Sequence, residues 1–178
     1  MVTRSAEVAL QTVRDPSAVL DVGCGTGALL RALGDRLPAT VELMGVDPAP
    51  TMIEVGRAVV RGRSNVRLEI ASAEQLPVPD ERFDLVISTV SFHHWAIQAA
   101  GLREVSRVLR PRGRLVLADH FATGWLRVFN AIGRRNMRTR HDVERLLAAA
   151  RLAPVEWTPI FDLGPLPLIQ AVIAKHSA

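Results

Sequence analysis

Short apolar runs and longer amphipathic stretches alternate along most of this chain, and their lengths predict alternating strands and helices. The runs that predict buried strands are residues 19–22, 41–46, 66–70, 83–88 and 114–119. The stretches with helical spacing between them are residues 27–37, 51–60 and 96–109. Strands joined by helices of this length form βαβ units, so the pattern predicts a parallel sheet with helices on both faces.

Local signals predict where several elements begin or end. Thr51 with Glu54, and Thr139 with Asp142, have the spacing of a capping box, so each threonine is predicted to begin a helix. A Pro/Gly turn at residues 110–113 is predicted to separate the preceding helix from the fifth strand.

The pattern changes after the fifth strand. Residues 120–138 carry bulky apolar side chains at helical spacing and are interpreted as an insertion that caps a substrate. The runs at 155–161 and 166–174 flank a Gly-Pro turn and predict a closing hairpin. The predicted fold class is α/β: a Rossmann-like, doubly wound, mostly parallel sheet of seven strands with a C-terminal antiparallel β-hairpin. One domain is expected over residues 1–178, with 1–18 as a short N-terminal helical segment.

Composition excludes several classes of protein. A hydrophobic fraction of 48% excludes a disordered chain, and no apolar run is long enough to span a bilayer. The single cysteine, Cys24, excludes an internal disulfide and a cysteine-based metal site. Residues 1–10 contain no apolar core of a signal peptide, so a cytoplasmic location is expected.

The basic charge of the chain is not concentrated in one stretch. The net charge is +4, and every basic residue except Lys175 is an arginine. The densest group consists of Arg134, Arg135, Arg138 and Arg140, while the other arginines are dispersed along the predicted elements. Nucleic acid is therefore disfavoured as a partner, despite a pI near 10.8.

A glycine-rich turn follows the first predicted strand, with Gly23, Gly25 and Gly27 at alternate positions. Without Cβ atoms, such a turn lets a ligand lie against the backbone, and the following helix points free N–H groups towards it. Asp21 adds a carboxylate at the end of the strand. This charge favours a ligand with ammonium or hydroxyl groups over one held only by its phosphates.

A second acid follows the second strand, and it points to an adenosine ligand. Asp47 lies twenty residues beyond Gly27, where a carboxylate is placed to accept hydrogen bonds from two ribose hydroxyls. This feature alone does not distinguish a nicotinamide cofactor from S-adenosylmethionine. The glycine spacing, G-x-G-x-G, differs from the dinucleotide fingerprint G-x-G-x-x-G, because the last glycine comes one position early.

Four motifs in order resemble those of class I S-adenosylmethionine-dependent methyltransferases. The resemblance is strongest to the branch of ubiquinone/menaquinone-type C-methyltransferases and small-molecule methyltransferases. The motifs are LDVGCGTG at 20–27, GVDP at 45–48 with Met52, ASAEQLP at 71–77 continuing to FDLV at 83–86, and RVLRPRG at 107–113.

The resemblance implies S-adenosylmethionine as methyl donor, S-adenosyl-L-homocysteine as product and no metal. The methionine end of S-adenosylmethionine is expected to lie on Asp21 and on the backbone of Gly23, Cys24, Gly25 and Gly27.

The same resemblance places the rest of the donor. Asp47, next to Pro48, is expected to take the ribose hydroxyls, and Met52 either packs on the adenine face or belongs to the core. The residues expected around the adenine and the sulfonium are Ser72, Ala73, Glu74 and Thr89. The family usually has an aspartate at the position of Ser72. A serine accepts a hydrogen bond more weakly than an aspartate does.

Catalytic and substrate residues are expected after the fourth and fifth strands. His93 and His94 are candidate bases, with the alternative that one orients the next helix and the other is solvated. The residues expected to form the walls of the acceptor pocket are Trp95, His120, Phe121, Trp125 and Phe129. Ordinary core packing would explain the aromatic residues among them equally well.

The sequence thus predicts methyl transfer from S-adenosylmethionine to a small, hydrophobic organic acceptor. The alternatives are a nicotinamide-dependent oxidoreductase and a non-catalytic, S-adenosylmethionine-binding regulatory subunit, the latter favoured by Ser72 and the short segment before the first strand. The cofactor is expected to be covered by residues 1–14, by residues 120–138 or by another subunit. The sequence does not decide whether the protein forms a homodimer. It also does not decide whether the methylated atom is oxygen, nitrogen or carbon.

Overall fold

A computed structural model describes residues 1–121, 138–163 and 166–177. Its seven strands are β1 (Ala18–Val22), β2 (Glu42–Asp47), β3 (Val66–Ile70), β4 (Phe83–Thr89), β5 (Leu109–Asp119), β6 (Leu152–Leu163) and β7 (Leu166–His176). They form one sheet in the order β3-β2-β1-β4-β5-β7-β6. The pairs among β1 to β5 are parallel, whereas β7 is antiparallel to both β5 and β6. The predicted fold class is confirmed.

Five α-helices and one 3₁₀ turn connect the strands over the described residues. The helices are α1 (Val2–Thr12), α2 (Ala28–Gly34), α3 (Pro50–Val59), α4 (Gln98–Val108) and α5 (Arg140–Ala149), and the 3₁₀ turn is Phe92–His94. Because β1 lies in the middle of the sheet and the chain runs outwards from it in both directions, the carboxyl ends of β1 and β4 flank a topological switch point. Ligands of open α/β sheets bind at such points.

The two faces of the sheet are covered by different helices. Successive side chains of a strand point to opposite faces, so Leu20 of β1 packs with α4 and α5 on one side, and Val19 packs with α1, α2 and α3 on the other. All five residues of β1 are buried, as expected for a central parallel strand. The core therefore fixes β1 firmly, and with it the start of the glycine-rich turn.

Of the two predicted capping boxes, one is confirmed and one is wrong. The Thr139 side chain accepts from the Asp142 N–H, and the Asp142 carboxylate accepts from the Thr139 N–H, at the start of α5. Helix α3 instead begins at Pro50, with Ala49 as its N-cap and no side-chain cap. Proline suits the first helical position because its φ is preset and it has no N–H to satisfy, so Thr51 lies inside the helix.

The predicted turn at residues 110–113 is part of β5. The pairing of β4 with β5 shifts here, from Phe83 opposite Leu109 to Leu85 opposite Arg114, so these residues form an irregularity in the ladder. Regular pairing begins at Arg114, where the sequence predicted the strand to begin. The predicted turn between α4 and β5 is therefore wrong: these residues form an irregular stretch within β5.

Helix α1 packs against α2 and β5, and none of its residues lines the cavity described below. The first candidate cover for the cofactor, residues 1–14, is therefore not supported. The insertion predicted at residues 120–138 lies almost entirely outside the described residues. Among the helices in the described ranges, none has the length and apolar character needed to cross a membrane.

Candidate functional site

A cavity of about 470 Å³ opens at the carboxyl ends of the parallel strands. From the loops after β1 and β2 it is lined by five residues predicted to bind the cofactor: Gly23, Gly25, Asp47, Pro48 and Met52. From the loops after β3 and β4 it is lined by five more predicted site residues: Ser72, Ala73, Glu74, His94 and Trp95. Ten predicted site residues from four strand ends thus meet around one cavity.

The glycine-rich turn is shaped by two different requirements. A Cβ added to Gly23 would lie 2.2 Å from Ser91 Oγ, so this glycine permits the loop after β1 to touch the loop after β4. A Cβ added to Gly25 would meet nothing within 4 Å. Both residues have positive φ, of 76° and 53° respectively, which glycine adopts without strain. Gly25 therefore leaves open space in the cavity wall where a ligand can lie against the backbone.

The N–H groups of the glycine-rich turn itself are mostly occupied by hydrogen bonds within the protein. Gly23 and Cys24 both donate to Val46 O, at 2.8 and 3.0 Å. Gly25 donates to Asp47 Oδ2 and Gly27 donates to Cys24 O, both at 2.9 Å. Gly23 and Gly25, which line the cavity, therefore offer a ligand their shape rather than their N–H donors.

Asp47 is held rigidly at the end of β2. Its Oδ2 accepts from the Gly25 N–H and its Oδ1 accepts from the Ala49 N–H, each at 2.9 Å. A carboxylate has about four acceptor positions, so each oxygen keeps capacity for a further donor. The side chain thus joins the glycine-rich turn to the start of α3 and presents acceptors to the cavity.

Asp21 is buried without a neutralising partner. It is 2% exposed, and its carboxylate accepts no hydrogen bond from the residues that the structure describes. Burial, reinforced by the negative charge of Asp47, raises the pKa of Asp21 to about 7. A lone buried carboxylate is unfavourable unless a cation or donor approaches it, and Asp21 directly precedes Val22 and Gly23 in the cavity wall.

Ser72 and Glu74 lie close together on the opposite wall. Glu74 accepts from the Ile97 N–H at 2.9 Å, and the nearby Ser72 hydroxyl also favours its charged form. Burial alone would raise the pKa of Glu74, but these hydrogen bonds outweigh it and lower that pKa. A serine hydroxyl has two lone pairs, so the Ser72 oxygen is available as an acceptor.

Three residues after β4 line the cavity without having been predicted as site residues: Val90, Ser91 and Ala96. Val90 lines the cavity with a φ of 54°, an unusual backbone conformation for a β-branched residue. Its N–H donates to Ala118 O at 2.7 Å, which holds the turn. Ser91 Oγ donates to Val22 O at 2.9 Å and lies 2.7 Å from Ser88 Oγ. No local pattern of residues signals a valine in the left-handed region.

Four predicted cofactor residues do not line the cavity, and one of them is Asp21, which directly precedes the lining residues Val22 and Gly23. Cys24 is buried, and a Cβ on Gly45 would lie 2.8 Å from its Sγ, so its thiol faces the core. Burial raises the pKa of this thiol, which keeps it protonated. Gly27 is the N-cap of α2. Thr89 Oγ1 is buried and has no hydrogen-bond partner among the described residues.

The predicted acceptor pocket is only partly assembled by the described residues. Trp95 lines the cavity, and its indole N–H donates to Ser91 Oγ at 3.4 Å. Phe121 is instead a core residue, 2% exposed, with its ring edge-on to that of Trp157. Its assignment to the pocket wall is therefore corrected. The remaining two predicted aromatic residues, Trp125 and Phe129, lie outside the described residues.

Three histidines, His93, His94 and His120, lie together, and of these only His94 lines the cavity. His93 and His94 have ring centroids 3.9 Å apart, and the ring of His120 approaches His93 edge-on at 6.2 Å. His93 Nδ1 lies 2.8 Å from Asp119 Oδ1. His120 does not line the cavity; its Nδ1 lies 3.0 Å from Leu168 O and donates to that carbonyl.

Comparison with known proteins assigns the family. A model described as a methyltransferase domain matches residues 20–117, more than half of the chain. The chain belongs to this family, that of the class I S-adenosylmethionine-dependent methyltransferases.

Two curated bacterial relatives are similar in sequence. An uncharacterized methyltransferase of Bacillus subtilis, YcgJ, is 39% identical over 58% of this chain and 41% of its own length. A demethylmenaquinone methyltransferase of Deinococcus radiodurans is 38% identical over 65% of this chain and 48% of its own length. The chain thus matches less than half the length of each.

Solved structures share the fold at lower sequence identity. The crystal structure of the Bacillus YcgJ protein superposes with a TM-score of 0.79 and 22% identity, covering 98% of this chain and 99% of that one. A Burkholderia thailandensis 1,6-didemethyltoxoflavin-N1-methyltransferase, solved with its substrate and S-adenosylhomocysteine, superposes with a TM-score of 0.79 and 18% identity, covering 99% and 79%.

Proposed function

We propose that this protein binds S-adenosylmethionine and transfers its methyl group to a small, hydrophobic organic acceptor. The observation that carries the proposal is the cavity itself, where the loops after β1, β2, β3 and β4 present a carboxylate, an open glycine wall and a hydroxyl acceptor. Membership of the methyltransferase family supports the same conclusion. The Deinococcus relative, named for a demethylmenaquinone substrate, supports an apolar organic acceptor by analogy.

The residues of the cavity fit the donor end by end. The Asp21 carboxylate, which lacks a partner, would hold the ammonium of the methionine end against the open wall at Gly25. The fixed carboxylate of Asp47 would accept both ribose hydroxyls. The Ser72 hydroxyl, which lines the cavity and has two lone pairs, would accept from the adenine amino group. Each assignment uses a group whose remaining hydrogen-bonding capacity matches that part of the ligand.

When bound, S-adenosylmethionine supplies a methyl group on a sulfonium, which is already activated for in-line displacement. The protein then has to align the acceptor and exclude water, which together account for most of such an acceleration. Met52, which is 45% exposed at the cavity, and Trp95 provide apolar walls for this purpose.

Binding of S-adenosylhomocysteine is expected to release a proton below about pH 7. The pKa of Asp21 is about 7 in the free protein, and a bound ammonium favours its carboxylate form, so the site must lose this proton. Affinity should therefore rise with pH up to about 7 and level off above it. Titration calorimetry in two buffers of different ionisation enthalpy measures the release, and Asp21→Asn should abolish it. A binding enthalpy independent of buffer on the acid side would contradict the assignment.

The same group affects folding with the opposite sign. Because the pKa of Asp21 rises from 3.8 in the unfolded chain to about 7 on folding, the folded state binds more protons between these values. The free energy of unfolding of the ligand-free protein should therefore fall as pH rises from 3.8 to about 7.

The experiment that tests the proposed function is transfer of isotope-labelled methyl from S-adenosylmethionine to a panel of quinols, phenols, amines and enols. Labelled product from at least one acceptor is expected. If S-adenosylhomocysteine binds but no acceptor in a broad panel is labelled, the regulatory alternative gains support. Neither the family match nor the relatives support the nicotinamide-dependent oxidoreductase.

The arrangement of the arginines supports a small-molecule acceptor rather than nucleic acid. Arg107 binds Glu104 and Asp80, and Arg110 binds Asp84, so these cations are paired within the protein. Arg140 bonds to Gln170 and lies over the ring of Trp157. A single domain over the whole chain, a homodimer and a cytoplasmic location stay predictions.

A further inference from the structure

An imidazole–carboxylate pair lies beside the cavity, with His93 in the 3₁₀ turn that follows β4 and Asp119 at the end of β5. His93 Nδ1 is 2.8 Å from Oδ1 and 3.0 Å from Oδ2 of Asp119. Asp119 is only 1% exposed, whereas the His93 side chain is 18% exposed. The pair thus connects a fully buried carboxylate to a partly exposed ring; His93 does not itself line the cavity but directly precedes His94, which does.

The hydrogen bonds of Asp119 determine which nitrogen of His93 carries the proton. Its Oδ2 accepts from the His93 backbone N–H at 2.9 Å, and its Oδ1 accepts from the His120 backbone N–H at 2.6 Å. A carboxylate surrounded by donors is an acceptor, so the His93 ring donates from Nδ1. Nε2, on the far side of the ring from Asp119, then holds a lone pair and is a proton acceptor.

The neighbouring histidines do not have this arrangement. His94 lines the cavity, but its ring makes no hydrogen bond within the described part of the chain, and it stacks on His93. His120 uses Nδ1 to donate to Leu168 O. The titratable groups that face His93 are therefore Asp119, His94 and His120, and only Asp119 hydrogen-bonds to its ring.

The position of His93 relative to the cavity suits a role in catalysis. Phe92–His94 is a single 3₁₀ turn that follows Ser91, so His93 lies between two residues of the segment that forms one cavity wall. Phe92 is buried, and its carbonyl accepts from the Gln98 amide at 3.0 Å, which fixes the turn. The ring is thus held both by its own turn and by Asp119.

We propose that His93, oriented by Asp119, is the general base of the reaction and that the acceptor is an organic hydroxyl compound. This deepens the proposed function and rests on it. As the hydroxyl oxygen forms its bond to the methyl carbon, the carbon–sulfur bond breaks and its electron pair stays on sulfur. The hydroxyl proton moves to Nε2 of His93, whose positive charge is stabilised by Asp119, and then leaves to solvent. A hydroxyl requires such a base because it arrives protonated and becomes a strong nucleophile only as it loses that proton.

The first test needs no acceptor. Nitrogen NMR of protein labelled in its histidines should show neutral His93 with the proton on Nδ1. Asp119→Asn should shift His93 towards the opposite tautomer, because the amide that replaces the carboxylate can donate to Nδ1. Wild-type protein with the His93 proton on Nε2 would overturn the proposal.

The second test compares two phenols of different acidity. With phenol as acceptor, His93→Gln should lower kcat by about 10²- to 10⁴-fold, whereas the control His141→Gln, at an exposed position of α5, should not. With 4-nitrophenol at mildly alkaline pH, where this acceptor is already ionised, His93→Gln should approach the wild-type rate. Asp119→Asn should behave like His93→Gln in kcat without changing the affinity for S-adenosylhomocysteine.

Failure of this inference differs from failure of the proposed function. If the His93→Gln variant binds S-adenosylhomocysteine normally and methylates phenol at the wild-type rate, His93 is not the general base. The proposed methyltransferase function would be unaffected by that result. Wild-type protein that methylates only amines, and no hydroxyl probe, would overturn the hydroxyl acceptor. Absence of S-adenosylhomocysteine binding in the wild type would instead contradict the proposed function.

Discussion

Gly23→Ala is expected to abolish binding of S-adenosylhomocysteine and to lower the free energy of unfolding by about 3 kcal/mol. The new methyl group would lie 2.2 Å from Oγ and 2.4 Å from Cβ of Ser91, so the loops after β1 and β4 would have to separate. The positive φ of 76° adds strain for any residue with a Cβ. Thermal unfolding and titration calorimetry measure the two effects.

A matched control separates the clash from the backbone strain. Gly62 has a φ of 85°, and a Cβ there would meet nothing within 4 Å, so Gly62→Ala carries strain alone and should cost about 1 kcal/mol. Its affinity for S-adenosylhomocysteine should match the wild type. Ser91→Gly in the Gly23→Ala background should recover part of the stability. Equal destabilisation by Gly23→Ala and Gly62→Ala would show that the contact with Ser91 is not tight.

Asp47→Ala is expected to weaken S-adenosylhomocysteine binding by about 100-fold or more. Hydrogen bonds to a charged group contribute about 1.5–3 kcal/mol each, and this carboxylate is assigned two ribose hydroxyls. The substitution also frees the N–H groups of Gly25 and Ala49, which the carboxylate holds at 2.9 Å. Both effects act on the same wall of the cavity, so the loss should exceed that of one hydrogen bond.

Two further variants show whether the effect belongs to this carboxylate. Asp47→Asn keeps one acceptor oxygen and should lose less affinity than Asp47→Ala. Asp15→Ala removes an exposed carboxylate before β1 and should bind like the wild type. Unchanged affinity in Asp47→Ala would remove the ribose assignment and leave the cavity without a polar anchor after β2.

The sheet was predictable because its central strands are buried on both faces and therefore appear as continuous apolar runs. β3 was predicted with its exact bounds, and β1, β2 and β4 within a residue or so at each end. The misplaced features are those set by competition between local signals: Pro50 begins α3 in preference to Thr51, and residues 110–113 join the ladder of β5.

The site was predictable only as far as it follows strand ends. Asp47 ends β2, and Ser72 and Glu74 follow β3 within four residues, so topology alone brings them to one edge of the sheet. The conformation of Val90 depends on its hydrogen bond to Ala118. The N–H groups of the glycine-rich turn are hydrogen-bonded to Val46 and Asp47. No local sequence pattern encodes these tertiary contacts. The pairing of His93 with Asp119 likewise depends on the register of β4 against β5.

Titration calorimetry of the wild-type protein with S-adenosylhomocysteine and, separately, with NADH tests the central claim most directly. The donor site assembled around Asp21, Gly25, Asp47 and Ser72 should give saturable, one-to-one binding of S-adenosylhomocysteine and no heat with NADH. Absence of S-adenosylhomocysteine binding at about 1 mM, or preferential binding of NADH, would contradict the assignment of this cavity to a methyl donor.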